Sequence, residues 1–104
     1  MITSKSFRDS KLVSISISYD WESSENYVDI VVDRYGERSA YRIVGLLEYE
    51  IFEDFTCAHI SQCTLLIAPG RVYLSLDPYT EGVKSDKDCF WFVGASIEAI
   101  SVGR

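Results

Sequence analysis

Leu-Val-Ser-Ile-Ser-Ile-Ser-Tyr, residues 12–19, alternates apolar and serine side chains with a period of two. Successive residues of a strand point to opposite faces of its sheet. Val13, Ile15, Ile17 and Tyr19 therefore share one face, and Ser14, Ser16 and Ser18 the other. That is a half-buried β-strand with one wet face, and it points to an all-β class for the whole chain.

The same alternation returns further along. Val28, Ile30 and Val32 face one way in a strand over about 27–33, with Asp29 and Asp33 opposite. Arg34-Tyr35-Gly36-Glu37 reads as a turn, Gly36 supplying positive φ. A third strand over about 38–47 puts Tyr41, Ile43 and Leu47 on one face and Arg42 on the other, which makes a hairpin with the second. Continuing the parity of the first strand, Trp21 caps the core beside Ile17 and Tyr19.

Residues 46–55 fit two patterns. Leu47, Tyr49 and Ile51 alternate with Glu48 and Glu50 as in a strand, while Leu47, Ile51 and Phe55 repeat every four residues as in a short helix. A strand that bends near Phe52 is the expectation, and a helix there would make the class α+β. A fourth strand over about 56–68 ends at Pro69-Gly70, a pair suited to a type II turn. A fifth covers 71–77, with Val72, Leu74 and Leu76 inward. The polar loop 78–88 follows. The sixth strand, about 89–102, is apolar on both faces at Phe90, Trp91, Phe92 and Val93 and belongs inside a sheet, Gly94 marking a bulge or bend. About six strands joined by short turns imply a single antiparallel sandwich or partly open barrel over residues 11–104, behind a loose arm at 1–10.

The chain of 104 residues is sized for one domain, and its hydrophobic share of 47% suffices for a core without disulfides or a metal. Its formal charge of −6 argues against a nucleic-acid binder and against docking on an anionic membrane. No apolar run approaches the ~20 residues that span a bilayer, and the N-terminus lacks the apolar core of a signal peptide. The three cysteines sit in apolar segments, as reduced thiols of a cytoplasmic protein do.

Catalytic patterns are weak. Cys57, His59, Cys63 and Cys89 match a structural zinc site in ligand count. Four residues along an extended strand cover about 13 Å, however, which is too far for one tetrahedral ion. Buried thiols that pack as small hydrophobes are the favoured reading, so neither a metal nor a cofactor is expected. His59 is the sole imidazole, and neither a nucleophile elbow nor a glycine-rich oxyanion loop surrounds any cysteine. Asp29 with Asp33, and Glu48 with Glu50, read as solubilising strand carboxylates rather than an acid–base pair. Phosphate-binding glycine loops are absent. The chain is not expected to be an enzyme.

Two stretches combine carboxylates with aromatic side chains, as protein interfaces do. One holds Glu48, Tyr49, Glu50, Glu53 and Asp54; the other holds Asp77, Tyr79, Glu81, Asp86 and Asp88. They point to a non-enzymatic interaction module with a basic protein partner. In profile the chain resembles the immunity proteins that bacteria make against their own toxins: small, acidic, single-domain and without catalytic motifs. The resemblance covers no motif and transfers no functional residue. It implies an acidic inhibitor covering the basic cleft of a toxin. The alternatives are a small-molecule-binding sandwich or barrel, and a structural subunit that pairs with itself as a homodimer.

Overall fold

The computed structural model describes residues 2–51 and 58–102. Nine strands are defined among them: β1 (Ser10–Asp20), β2 (Glu25–Arg34), β3 (Glu37–Val44), β4 (Glu48–Glu50), β5 (His59–Ile60), β6 (Thr64–Ala68), β7 (Arg71–Asp77), β8 (Cys89–Gly94) and β9 (Ser96–Ile100). They form two antiparallel sheets in the orders β5-β1-β2-β3-β9 and β4-β8-β7-β6. The class is all-β, with no α-helix among the described residues. Residues 48–50 are strand, which settles that part of the ambiguous segment; Phe52, Glu53, Asp54, Phe55 and Cys57 lie outside the described residues.

The two sheets enclose one core. Val28, Ile30, Val32 and Ile43 come from the five-stranded sheet, and Leu74, Leu76 and Phe92 from the other. Ile30, Ile43, Leu74 and Phe92 are fully buried. Each large side chain shut away from water stabilises the fold by roughly 2–3 kcal/mol before chain entropy is counted.

The β2–β3 hairpin closes as the sequence predicts. Tyr35 (φ 54°) and Gly36 (φ 88°) are both left-handed, the two-residue geometry whose twist matches the flanking strands. Asp33 accepts a hydrogen bond from the Gly36 amide at 2.9 Å.

Several expectations are corrected. Residues 2–10 are not a loose arm: Ser4–Ser6 form a 3-10 turn and Phe7 is fully buried against the Tyr41 ring at 4.8 Å. In β1 the pairing shifts between Leu12 and Ser14, so Val13 is the extra residue of a bulge. Leu12 and Ile15 therefore pack against the core, while Val13 is exposed. Trp21 does not cap the core. It is 79% exposed in the turn after β1, with its ring 4.3 Å from that of Tyr19. Leu47 points outward, and Leu46 is buried instead, because the strand parity breaks at Gly45 (φ 70°).

The expected fourth and sixth strands each divide. The first contributes β5 to one sheet and β6 to the other. The second leaves the four-stranded sheet at Gly94 and resumes as β9 in the five-stranded one. Both β3→β4 and β8→β9 cross between sheets at the same place, where Ala95 donates to the Val44 carbonyl at 2.9 Å. A Cβ on Gly94 would collide with Ile43, and one on Gly45 would stand 2.9 Å from the Ala95 Cβ. The two crossings fit because both glycines lack side chains.

Candidate functional site

The outer face of the four-stranded sheet carries the candidate site. Strand register puts Glu48 opposite Val93, Glu50 opposite Trp91, and Tyr73 on the far side of Val93. By the two-residue period, Arg71, Tyr73, Trp91, Val93, Glu48 and Glu50 all project from this one face. A sheet face turned to solvent is normally polar, yet Tyr73 and Val93 are only 6% and 3% exposed. The loop 78–88 folds back beside them, and Lys84 and Asp86 complete an open groove of about 510 Å³.

Asp88 holds that loop in place. Its carboxylate accepts from the Tyr73 hydroxyl at 2.6 Å and from the backbone amides of Tyr79 and Ser85, each at 2.9 Å. Burial alone would raise its pKa, but the Tyr73 hydroxyl and the two amides outweigh burial and hold it below the ordinary carboxylate value. The same burial, reinforced by the Asp88 charge, pushes the Tyr73 phenol well above its ordinary value. Each partner keeps the other in the protonation state that maintains the bond.

The groove floor suits a cation. The Tyr73 and Trp91 rings lie 6.3 Å apart and near parallel at 28°. The chain's own Lys84 ammonium already stands 5.2 Å over the Tyr73 ring, within cation–π range. The Trp91 indole N–H donates to Glu50 at 3.3 Å, fixing a carboxylate beside the rings. Glu48 and Asp86 flank it, against the positive charges of Arg71 and Lys84.

The expected interface residues divide accordingly. Glu48, Glu50 and Asp86, drawn from the two separate stretches, meet in the groove. Tyr49 faces the other way, its ring 6.3 Å from that of Phe92. Asp77 is exposed at the end of β7. Tyr79 is exposed too, with the Lys87 ammonium 4.8 Å over its ring. Glu81 and Asp88 are engaged internally. Glu81 accepts from the Cys63 amide and from Arg8, each at 3.0 Å, and the amide first, then Arg8, outweighs burial to hold its pKa low. Tyr73, Trp91, Arg71 and Lys84 were not singled out as interface residues. Only the opposite parities of Trp91 and Phe92 hinted at them, by giving β8 an aromatic on each face.

Cys57 lies outside the described residues, and Cys63, Cys89 and His59 form no cluster with one another. Cys63 is fully buried, and burial pushes its thiol up to about 12. Cys89 is half-buried, and its thiol donates weakly to the Lys87 carbonyl at 3.7 Å. His59 is exposed on β5. Among the described residues no three His, Cys, Asp or Glu side chains cluster so as to hold a metal ion. The strand carboxylates have structural partners: Asp29 is bound by Arg42 through two hydrogen bonds of 2.7 and 2.9 Å, and Asp33 by the Gly36 amide.

No family model, curated protein or solved structure matches this chain. Among the described residues no helix is long and apolar enough to cross a membrane.

Proposed function

We propose that the chain is a protein-interaction module whose groove over the outer face of β4, β8 and β7 receives a basic segment of a partner protein. One observation carries the reading: Glu48, Glu50 and Asp86 gather around the Tyr73–Trp91 floor, where Lys84 already places an ammonium over an aromatic ring. An incoming lysine or arginine would exchange its water for ring faces and carboxylates, and the formal charge of −6 would speed its approach. The most concrete form is an inhibitor that covers the basic cleft of a toxin, as the resemblance in profile to immunity proteins implies.

A lysine- and arginine-rich peptide titrated into a Trp21→Phe background tests the proposal, since Trp91 is then the only tryptophan. Its fluorescence should change on binding, and the affinity should fall as salt rises. Combining Glu48→Gln, Glu50→Gln and Asp86→Asn should weaken binding at least tenfold without altering the far-ultraviolet spectrum. Unchanged affinity in that triple variant would overturn the reading, as would an equal response to an acidic peptide.

A further inference from the structure

A second open cleft, of about 640 Å³, lies between the N-terminal segment and the β2–β3 hairpin. It shares no residue with the groove described above. Its character is opposite to that of the chain as a whole. Lys5 and Arg34 face one carboxylate, Glu37, and the hydroxyls of Ser6, Ser10 and Ser39 surround them.

Arg34 organises this wall. One of its terminal nitrogens donates to the backbone carbonyls of Lys5, at 2.6 Å, and of Arg8. Carbonyl oxygens satisfy those hydrogens but do not neutralise the guanidinium. Among the described residues no carboxylate lies within ion-pair distance of Arg34 or of Lys5. Glu37 is the cross-strand neighbour of Arg34 and is exposed, yet it makes no such pair.

Among the described residues, two polar atoms of the same wall have no partner: Arg34 Nε and Ser10 Oγ, both shut away from solvent. Ser10 as a whole is only 1% exposed. Buried polar groups in folded proteins nearly always find a partner. An arginine Nε can only donate, and a serine hydroxyl can donate as readily as accept. A group rich in acceptors would satisfy both. A carboxylate or phosphate supplies several acceptors and the negative charge that Arg34 and Lys5 lack.

We propose that this cleft binds a small anionic molecule through a carboxylate or phosphate group. Arg34 and Lys5 neutralise the charge, Ser10 and Arg34 Nε gain an acceptor as the wall opens slightly, and the Tyr35 and Tyr41 rings flank the rest of the molecule. This site stands or falls independently of the basic-partner reading.

Amide chemical shifts of the intact chain, followed during separate titrations with inorganic phosphate, phenyl phosphate and benzoate, provide the test. Saturable shifts centred on Lys5, Ser6, Ser10, Arg34 and Gly36 are expected for at least one of the three. The phosphate arms against benzoate identify the anionic group. Arg34 also ties down the N-terminal segment, so its removal could unfold that segment. The variants are therefore Lys5→Gln, expected to weaken binding about fivefold, and Glu37→Gln, expected to strengthen it about threefold; both side chains are exposed. Shifts spread over lysines and arginines elsewhere, or no saturation at 20 mM of any probe, would overturn the proposal, as would a Glu37→Gln variant that binds more weakly. Binding that Lys5→Gln leaves unchanged would also defeat it.

Discussion

The outer faces of the two sheets obey the same two-residue alternation and end in opposite states. On the five-stranded sheet, Ser16, Asp29, Arg42 and Glu98 lie side by side across β1, β2, β3 and β9. Asp29 and Arg42 are joined by two hydrogen bonds, and the Arg42 guanidinium stacks 3.9 Å over Tyr27. That side-chain hydrogen bond to Asp29, opposed by burial and aided by the nearby negative charges, holds the guanidinium pKa above its ordinary value. On the four-stranded sheet the same kind of surface carries Tyr73, Trp91 and Val93, with carboxylates at the rim and a loop pinned alongside. The first face spends its charges on cross-strand neighbours. The second leaves Trp91 part-exposed and the Glu48 and Asp86 carboxylates exposed at its rim. Alternation thus makes a face polar or apolar, but pairing across strands decides whether its chemistry remains open to a partner.

The sharpest way to break this contrast is Asp88→Ala. The substitution leaves the Tyr73 hydroxyl and two amides without their acceptor and frees the loop from the sheet. We expect a stability loss of about 2–3 kcal/mol in urea unfolding, together with, in a Trp21→Phe background, a red-shifted Trp91 emission as water reaches the groove. An unchanged emission would mean that the loop stays put without its clamp.

A change of pH probes the same clamp from both sides. Asp88 has a depressed folded pKa, so its contribution is present above its unfolded value near 4 and is lost as pH falls through the folded one. Tyr73 has a raised folded pKa, so its contribution is present below its unfolded value near 10 and is lost as pH rises through the folded one. Stability should therefore fall at both ends of the range. In Asp88→Asn the acid limb attributable to this group should vanish, which urea midpoints at a series of pH values would show.

The five-stranded face should respond more mildly. Arg42→Ala should lower the urea midpoint less than Asp88→Ala does, and a double-mutant cycle with Asp29→Asn should show a favourable coupling that weakens with salt. A coupling of zero would remove the claim that this face satisfies itself. Trp21→Ala should have the smallest effect, within about 0.5 kcal/mol, because a side chain 79% exposed in a turn leaves little buried area to lose.

Much of the architecture was legible in local pattern. The strand over 71–77 lies where alternation put it, and the hairpin at 34–37 closes on the glycine expected to take positive φ. Parity carried across an interruption was less legible. The bulge at Val13 shifted the inward residues, and Gly45 turned Leu47 out. One inserted residue flips every side chain beyond it, and nothing in a short apolar run announces the insertion. The candidate site was visible only in halves. Glu48 and Glu50 are nearly forty residues from Asp86 in the chain, and antiparallel pairing of β4 with β8, the strand that follows the loop carrying Asp86, brings them together.

An all-β chain of antiparallel hairpins follows from local pattern alone, because a period of two in hydrophobicity is a property that each strand carries in its own residues. The residues also show that charge and aromatic side chains, rather than recognisable catalytic motifs, are the available chemistry. Which sheet each segment joins, which carboxylates are tied up in holding loops, and which remain around Trp91 emerge only from long-range pairing. Those outcomes depend on pairings between residues far apart in the chain, and on two glycine crossings whose necessity shows only when one sheet is laid over the other.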